Sequence, residues 1–531
     1  MAQQDQDVIM YYRNCLLLGA ALLVPLLLLM KLRRPRGGTF LRGHGGCRSS
    51  ARQAAAPFHA CPRLLIRRPA HTAPPGGARR RCGLIRRRGE GDPQDTGRGW
   101  SSSRRKKKQH RRTEDTTLVI IRFTTKPSKG IFNREALMQT PTIRALTVDG
   151  TGIALAPHGE HWRQARKLGV TELLGARPVQ SLRGSREPGV AALVASIASA
   201  SVSGPVNVSS LLSTYIIDVA VRALVGDRIG DDLRGEFLER LGEGVRLATG
   251  FGLADLFPSS RLVRAFSGSL GRLEALGRET SRVMDRIINK HQHAGDEEKD
   301  FVDVMLRIQK TDGSLHAGTM RAMITDLFGA ASDTSSTPEW AMAELMGSPA
   351  ALRRAQSEVR AALAGESRVR EEALPELHYL RLVLKETLRL HPAAPLLLPR
   401  ECPESRHVLG YTVPKVAMVL VNAWAIGRDA ATWGADAEEF RPERFEEEAA
   451  LDFKGTIFKF VPFGTGRNMC PGITFGLAVV ELALASFLFH FDWELPAGGL
   501  DMEEQLGVTA RRKGDLWLHA TVRVHVPAFA P

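Results

Sequence analysis

The stretch ITFGLAVVELALASFLFHF, residues 473–491, is apolar on nearly every face, with Glu481 and His490 its only acidic or basic side chains. A helix without a polar face belongs inside a core or a bilayer, so this segment commits the chain to burying it. Directly before it runs FGTGRNMCPG, residues 463–472, in which one cysteine, Cys470, sits among Gly464, Gly466 and Gly472. Proline suits the first position of a helix, which predicts a helix from Pro471 and puts Cys470 at its N-terminus. There the helix dipole and the free backbone N–H groups favour a thiolate over a thiol. The glycines let the loop come close to something flat and bulky. The plainer alternative is a buried cysteine in a glycine-rich turn. A dinucleotide loop is excluded, because G-x-G-x-x-G would need glycine where Met469 stands.

The net charge of +16 invites a nucleic-acid reading, so its location matters. Of the 73 basic residues, 24 fall between Lys31 and Arg112, against 3 of the 57 acidic ones, so the rest of the chain is slightly acidic. Residues 35–115 are rich in Arg and Gly and have no hydrophobic period, which predicts disorder. An RNA-binding or anionic-lipid arm is the functional alternative, but aromatics for stacking on bases are sparse there, Phe40, Phe58 and Trp100 only. Ahead of the arm, CLLLGAALLVPLLLLM (Cys15–Met30) is uncharged and is followed by Lys31, Arg33, Arg34 and Arg36. Sixteen helical residues rise about 24 Å against about 30 Å of bilayer core, which fits a membrane anchor that borrows flanking residues or a cleaved signal segment. The missing small-residue cleavage site and the basic cluster on the C-terminal side favour an anchor over residues 1–34 with the body in the cytosol. The six cysteines form no C-x-x-C pair, which speaks against a disulfide framework or a zinc site and for a reducing compartment.

From about Leu118 the composition turns globular. Residues 179–200, 269–292 and 349–365 carry helical periods, and 408–426 reads as short strands, so the body is mainly α with minor β.

A thiolate on haem iron needs what the Cys470 loop offers: anionic sulfur held by amide donors, with backbone pressed against one porphyrin face. FGTGRNMCPG resembles the cysteine-ligand loop of the cytochrome P-450 family of haem-thiolate monooxygenases, with Phe463, Gly464 and Gly472 against the cofactor and Cys470 as axial iron ligand. KETLRLHP, residues 385–392, looks like that family's Glu-x-x-Arg helix, as Glu386 and Arg389, and Arg444 in FRPERF like the arginine that joins them in a buried network. HWRQARK, residues 161–167, is similar to the Trp-x-x-x-Arg helix, whose Trp162 and Arg166 share one face and would meet haem propionates, as would Arg400 in LLLPRE. In DLFGAASDTSSTPEWAM, Asp333 and Thr334 correspond to the acid–alcohol pair: Thr334 would hold the hydrogen bonds that protonate dioxygen and Asp333 would relay protons. Ala330 and residues 395–398 would line the substrate side.

The resemblance covers residues 142–531 and is closest in phrasing to plant microsomal members. It implies the cytochrome P-450 fold over 141–531, haem b (iron protoporphyrin IX), an endoplasmic-reticulum anchor, and electrons from NADPH through NADPH–cytochrome P-450 reductase. The expected reaction inserts one oxygen atom from O2 into an apolar small molecule, with no nucleic-acid partner. Four departures stand out. Asn468 replaces the usual propionate arginine two residues before the ligand, and Val416 replaces a hairpin glycine. The Asp-Thr to Glu-Trp spacing is one residue short, which turns the later helix face by about 100° and predicts a broken central helix restarting at Pro338 behind a Ser335–Thr337 cap. Residues 35–140 show none of the proline-rich hinge, first helices or main strands that the family places there. A haem-binding relative without turnover therefore stands as one alternative, and a basic nucleic-acid or lipid binder as another.

Overall fold

The computed structural model describes residues 118–121 and 152–525, apart from 155, 157, 228, 249–267, 294–299, 314, 399, 402–404, 409–410, 414, 416–417 and 506–508. The N-terminal apolar run, the basic arm, Cys402 and Val416 lie outside the described residues.

Helices α1 (Glu160–Leu168) and α2 (Arg183–Ser201) lead into α3 (Val208–Val225), α4 (Asp231–Ala248), α5 (Gly268–Gln292) and α6 (Phe301–Asp312). The central helix α7 (Ala317–Thr334) is followed by α8 (Ser336–Gly347), α9 (Pro349–Ala362), α10 (His378–Leu390) and α11 (Ile473–His490). Local chemistry sets several of these ends. Asn207 caps α3 by accepting from Ser210 N–H at 2.9 Å, Asp300 caps α6 by accepting from Asp303 N–H at 3.0 Å, and Gly313 closes α6 in the left-handed region.

The strands are short and all antiparallel. One sheet orders β1 (Leu118–Ile121), β6 (Met418–Val421) and β3 (Arg400–Glu401), and another β2 (Val206–Asn207), β10 (Trp517–Val522) and β7 (Phe491–Glu494). Two hairpin pairs, β4 (Arg406–Val408) with β5 (Tyr411–Val413) and β8 (Glu504–Gln505) with β9 (Arg511–Arg512), complete them. The mainly helical expectation with minor sheet matches this architecture.

Two apolar cores share α3. Leu212, Tyr215 and Val219 face the core built by α2, α8, α9, α10 and α11, whereas Val221, Leu224 and Val225 face the core of α4 to α7. Helices α3 and α11 are long and apolar enough to cross a membrane, and both are largely buried in these cores. For α11 that answers the constraint its sequence imposes: Leu482, Leu484, Phe487 and Leu488 are fully enclosed.

Several sequence expectations shift in detail. The helical period over 179–200 is divided by Leu182 into Ala176–Ser181 and α2, and Pro188 inside α2 removes one backbone donor. Residues 423–426, read as strand, lie in a helical turn, Ala423–Gly427, instead, because the Asn422 side chain accepts from Ala425 N–H at 2.9 Å and caps it. Within residues 35–140, where the family's main strands were not legible, Leu118–Ile121 pairs in register with Val421–Met418. The central helix does break, but at Ser335, and Pro338 becomes the third residue of α8, where its missing N–H is one of the unpaired donors of a first turn. The serines do not cap forward: the Ser335 and Ser336 hydroxyls donate back to the carbonyls of Ser332 and Asp333, each at 3.0 Å.

One buried carboxylate ties α10 to the loops beyond β6. Glu386 accepts from Arg389 Nε and Nη2 at 2.7 Å each, from Arg444 Nε at 2.9 Å and from Arg441 N–H at 2.8 Å. Arg389 also donates to the carbonyls of Gly427, Ala437 and Glu439. Glu386, Arg389 and Arg444 are all buried, and removing one partner from such a set typically costs about 3–5 kcal/mol.

A second carboxylate docks the segment before α1 onto the central helix. Asp326 accepts from the backbone N–H groups of Ile153 at 2.6 Å and Ala154 at 2.9 Å. Burial pushes its carboxyl up to about 6, and the two N–H donors offset only part of that. The folded value thus lies above the unfolded one of about 3.9. Between those values the native state keeps a proton that the unfolded chain has shed, so this group makes stability fall as pH rises from about 4 to about 6. Denaturant unfolding at stepped pH is expected to show a fall approaching about 1.4 kcal/mol per pH unit that Asp326→Asn removes. An identical slope in the variant would assign the titration elsewhere.

Candidate functional site

The Cys470 loop is folded by its glycines. Gly464 and Gly466 adopt φ of +75° and +67°, a region where a side chain is strained, and Cys470 N–H closes the loop onto Phe463 O at 2.9 Å. A Cβ on Gly455 would stand 2.5 Å from Gly464 O, so two backbone strands meet there at a distance only glycine permits. The helix begins later than the Pro471 rule predicts. α11 starts at Ile473 with Gly472 as its N-cap, so Cys470 stands outside the helix in a tight turn. The Gly472 N–H is directed at the sulfur. Burial nonetheless pushes the Cys470 thiol up, with the Gly472 N–H and the Arg166 charge opposing it. The expectation that helix position by itself favours the thiolate is corrected accordingly: burial outweighs the Gly472 N–H and the Arg166 charge.

The residues assigned to propionates are placed unequally. Arg166 donates to Met469 O in the cysteine loop and lies 5.4 Å over the Trp162 ring. Arg400, brought up by β3, makes a long contact with Thr465 O at 3.4 Å, and its buried Nε has no partner. Trp162 differs from expectation. It is buried, and its single N–H donates to Ile153 O at 2.9 Å, so that donor serves the backbone of the segment held by Asp326. Asn468 Oδ1 lies 2.7 Å from His158 Nε2, and the His158 ring packs on Trp162 at 4.4 Å.

The electrostatics of this rim are one-sided. Arg166, Arg400 and Arg467 all act on His158, and among the described residues no carboxylate pairs with any of the three. Burial without a counter-charge lowers Arg400 from its ordinary value. Guanidiniums without anions beside a glycine-rich loop fit a flat ligand that brings its own carboxylates, as iron protoporphyrin IX does.

On the opposite side, neighbours in sequence face different partners. Thr334 Oγ1 donates to Ala330 O at 3.1 Å, and its methyl lies 3.9 Å from where a Cβ on Gly476 would be, so Thr334 faces the first turn of α11. Asp333 turns the other way, accepting from Arg511 Nη2 at 2.7 Å and Thr509 Oγ1 at 3.2 Å. Ala330 is exposed one turn before Thr334. In residues 395–398, Leu397 is held at φ +49°, a left-handed conformation costing a leucine about 1–2 kcal/mol, with its Cδ1 3.8 Å from the Cβ position of Gly464. The Glu386 network reaches the loop through aromatic rings. Arg389 lies over Trp433, and Trp433, Phe445, Phe460, Phe453 and Phe463 follow with centroids 5.1–5.9 Å apart.

Two residues near the site escaped sequence reasoning. Asp326 carried a usable signal, a lone carboxylate in an otherwise apolar turn two turns before Thr334. His158 carried none, since only the fold brings it to a residue 310 positions away.

A family model described as cytochrome P450 matches residues 122–518. Desmethyl-deoxy-podophyllotoxin synthase of Sinopodophyllum hexandrum is 44% identical over 393 residues, 71% of this chain and 76% of that protein. Dolabradiene monooxygenase of Zea mays is 43% identical over 406 residues, covering 73% and 78%, and germacrene A hydroxylase of Barnadesia spinosa 41% over 391 residues, covering 72% and 78%. With a cysteine loop shaped for a flat cofactor, an anion-free arginine rim and these relatives, the chain belongs to the cytochrome P450 family and is a haem-thiolate monooxygenase of the plant type, inserting one oxygen atom from O2 into a small molecule.

Proposed function

We propose that Cys470 is the axial ligand of haem b, that Arg166 and Arg400 hold its propionates, and that Phe463, Gly464 and Gly472 form the face against it. The observation that carries this reading is the pairing of the Cys470 loop with guanidiniums that have no carboxylate partner among the described residues. Bound haem supplies the iron that activates dioxygen, and a thiolate ligand favours cleavage of its O–O bond. The chain does the rest. Ala330 and Pro395 to Leu398 present apolar surface to an apolar substrate of plant specialised metabolism. Thr334 can release Ala330 O and hold a proton at Oγ1. Asp333 can carry protons toward it from the Arg511 side, because its carboxylate is partly exposed while its helix neighbour faces inward. Trp162 acts one step removed, by fixing Ile153 and hence the segment clasped by Asp326.

The reduced protein is expected to give the red-shifted carbon monoxide band of thiolate-ligated haem. Cys470→Ala abolishes that band and Cys402→Ala retains it; equal effects would remove Cys470 from the ligand position. Thr334→Ala is expected to keep oxygen consumption while diverting most of it to hydrogen peroxide, and unchanged coupling would take the proton role from Thr334.

The electron source is NADPH through a separate NADPH–cytochrome P-450 reductase, and the chain is anchored in the endoplasmic reticulum by residues 1–34 with its catalytic domain, residues 141–531, facing the cytosol. The apolar run with basic residues behind it supports that topology. Deleting residues 1–34 is expected to move the protein from microsomes to the soluble fraction. A C-terminal tag protected from protease in intact microsomes would reverse the assigned orientation.

A further inference from the structure

We propose that His158 and Asn468 act as one hydrogen-bonded unit that holds a haem propionate, filling the place left open by the missing arginine at position 468; this rests on the haem-thiolate reading above.

Asparagine alone is a weak substitute for arginine, since a neutral amide on a short stem replaces a forked cation. The structure shows that it is not alone. His158 Nε2 lies 2.7 Å from Asn468 Oδ1, a short contact for a neutral pair. With Nε2–H donating, the oxygen end of the amide is engaged, and its NH2 end is left to donate to another group. The ring is steadied from a second side by Trp162, at 4.4 Å between centroids, and Trp162 is itself fixed through Ile153 O. A donor whose orientation is set in advance loses less freedom on binding than one on a free side chain. Asn468 ends the helical turn Gly466–Asn468 and is half-buried, whereas Arg467 beside it is exposed, so the neighbouring arginine has not turned into the vacant place.

The surroundings select the charge of the ligand. Burial lowers the His158 imidazole from its ordinary value, and Arg467, Arg166 and Arg400 add to this against the opposing Asn468 hydrogen bond. Those three guanidiniums act on the ring with no carboxylate among the described residues to answer them. A group that donates into the same space as Arg166 and Arg400 has a carboxylate as its natural partner. A hydrogen bond to a charged group contributes about 1.5–3 kcal/mol, which corresponds to roughly tenfold or more in retention.

Haem loss from the holoprotein to excess apomyoglobin reads this directly, after the carbon monoxide band has established thiolate ligation in the starting protein. His158→Phe keeps a ring against Trp162 but removes its nitrogens, and Asn468→Ala removes the amide. Each is expected to speed haem loss about tenfold, the double variant no more than either single one, and Asn468→Arg introduced into His158→Phe to restore slow loss. That rescue separates a carboxylate-binding role from damage to folding, which an arginine would not repair. Loss at the starting rate in His158→Phe, single effects that multiply in the double variant, or no rescue by arginine would each overturn the proposal. An absent thiolate band in the starting protein would instead overturn the haem reading on which it stands.

Discussion

A carboxylate with no access to water must be answered on every side, and Glu386 shows what that demands of a chain. Its four donors come from α10 itself, from Arg444 and from the backbone at Arg441, so the ion pair exists only if segments more than 50 residues apart have reached their places. Desolvating such a set gains little stability over a well-packed apolar alternative, while leaving it incomplete is costly. Its effect is therefore to penalise near-native arrangements. The aromatic series from Trp433 to Phe463 passes that restriction on to the cysteine loop, because packed rings admit few alternative positions.

A second chain of contacts fastens the other wall. Asp326 in the central helix holds Ile153, Ile153 is held again by Trp162, and Arg166 one turn on in α1 reaches Met469 beside Cys470. Central helix and cysteine loop are thus connected through α1 by directional bonds, independently of the apolar contact at Gly476. Trp162 is a brace in this chain of contacts, and its one N–H, spent on a buried carbonyl, cannot also satisfy a carboxylate.

The interruption at Ser335 divides the distal machinery. Thr334 faces α11 and Asp333 faces β9, so the roles proposed for the two, one toward the substrate side and one toward the polar side, call on different surroundings. Adjacent helical residues differ by about 100° in direction, and that geometry alone lets one pair serve two environments.

Much of the architecture was legible because it follows from local chemistry and from motifs with a physical purpose: the all-apolar α11, the helical periods of α5 and α9, and the Glu386, Arg389 and Arg444 set. The Cys470 loop was legible too, because glycine and proline constrain backbone shape within a few residues. What escaped depended on partners distant in sequence. Pro471 predicted a helix start by rule, but the turn around the sulfur delayed it to Ile473. Trp162 was assigned a carboxylate until a carbonyl claimed its donor, and residues 423–426 became helix through one asparagine cap. The His158–Asn468 contact joins positions 310 apart, and such a pair leaves no periodicity to detect. Sequence by itself thus determined the family, a haem-thiolate monooxygenase, because its motifs are local in residue type and spacing. Only the tertiary structure decided which donor meets which acceptor, because that depends on which polar groups burial leaves without water.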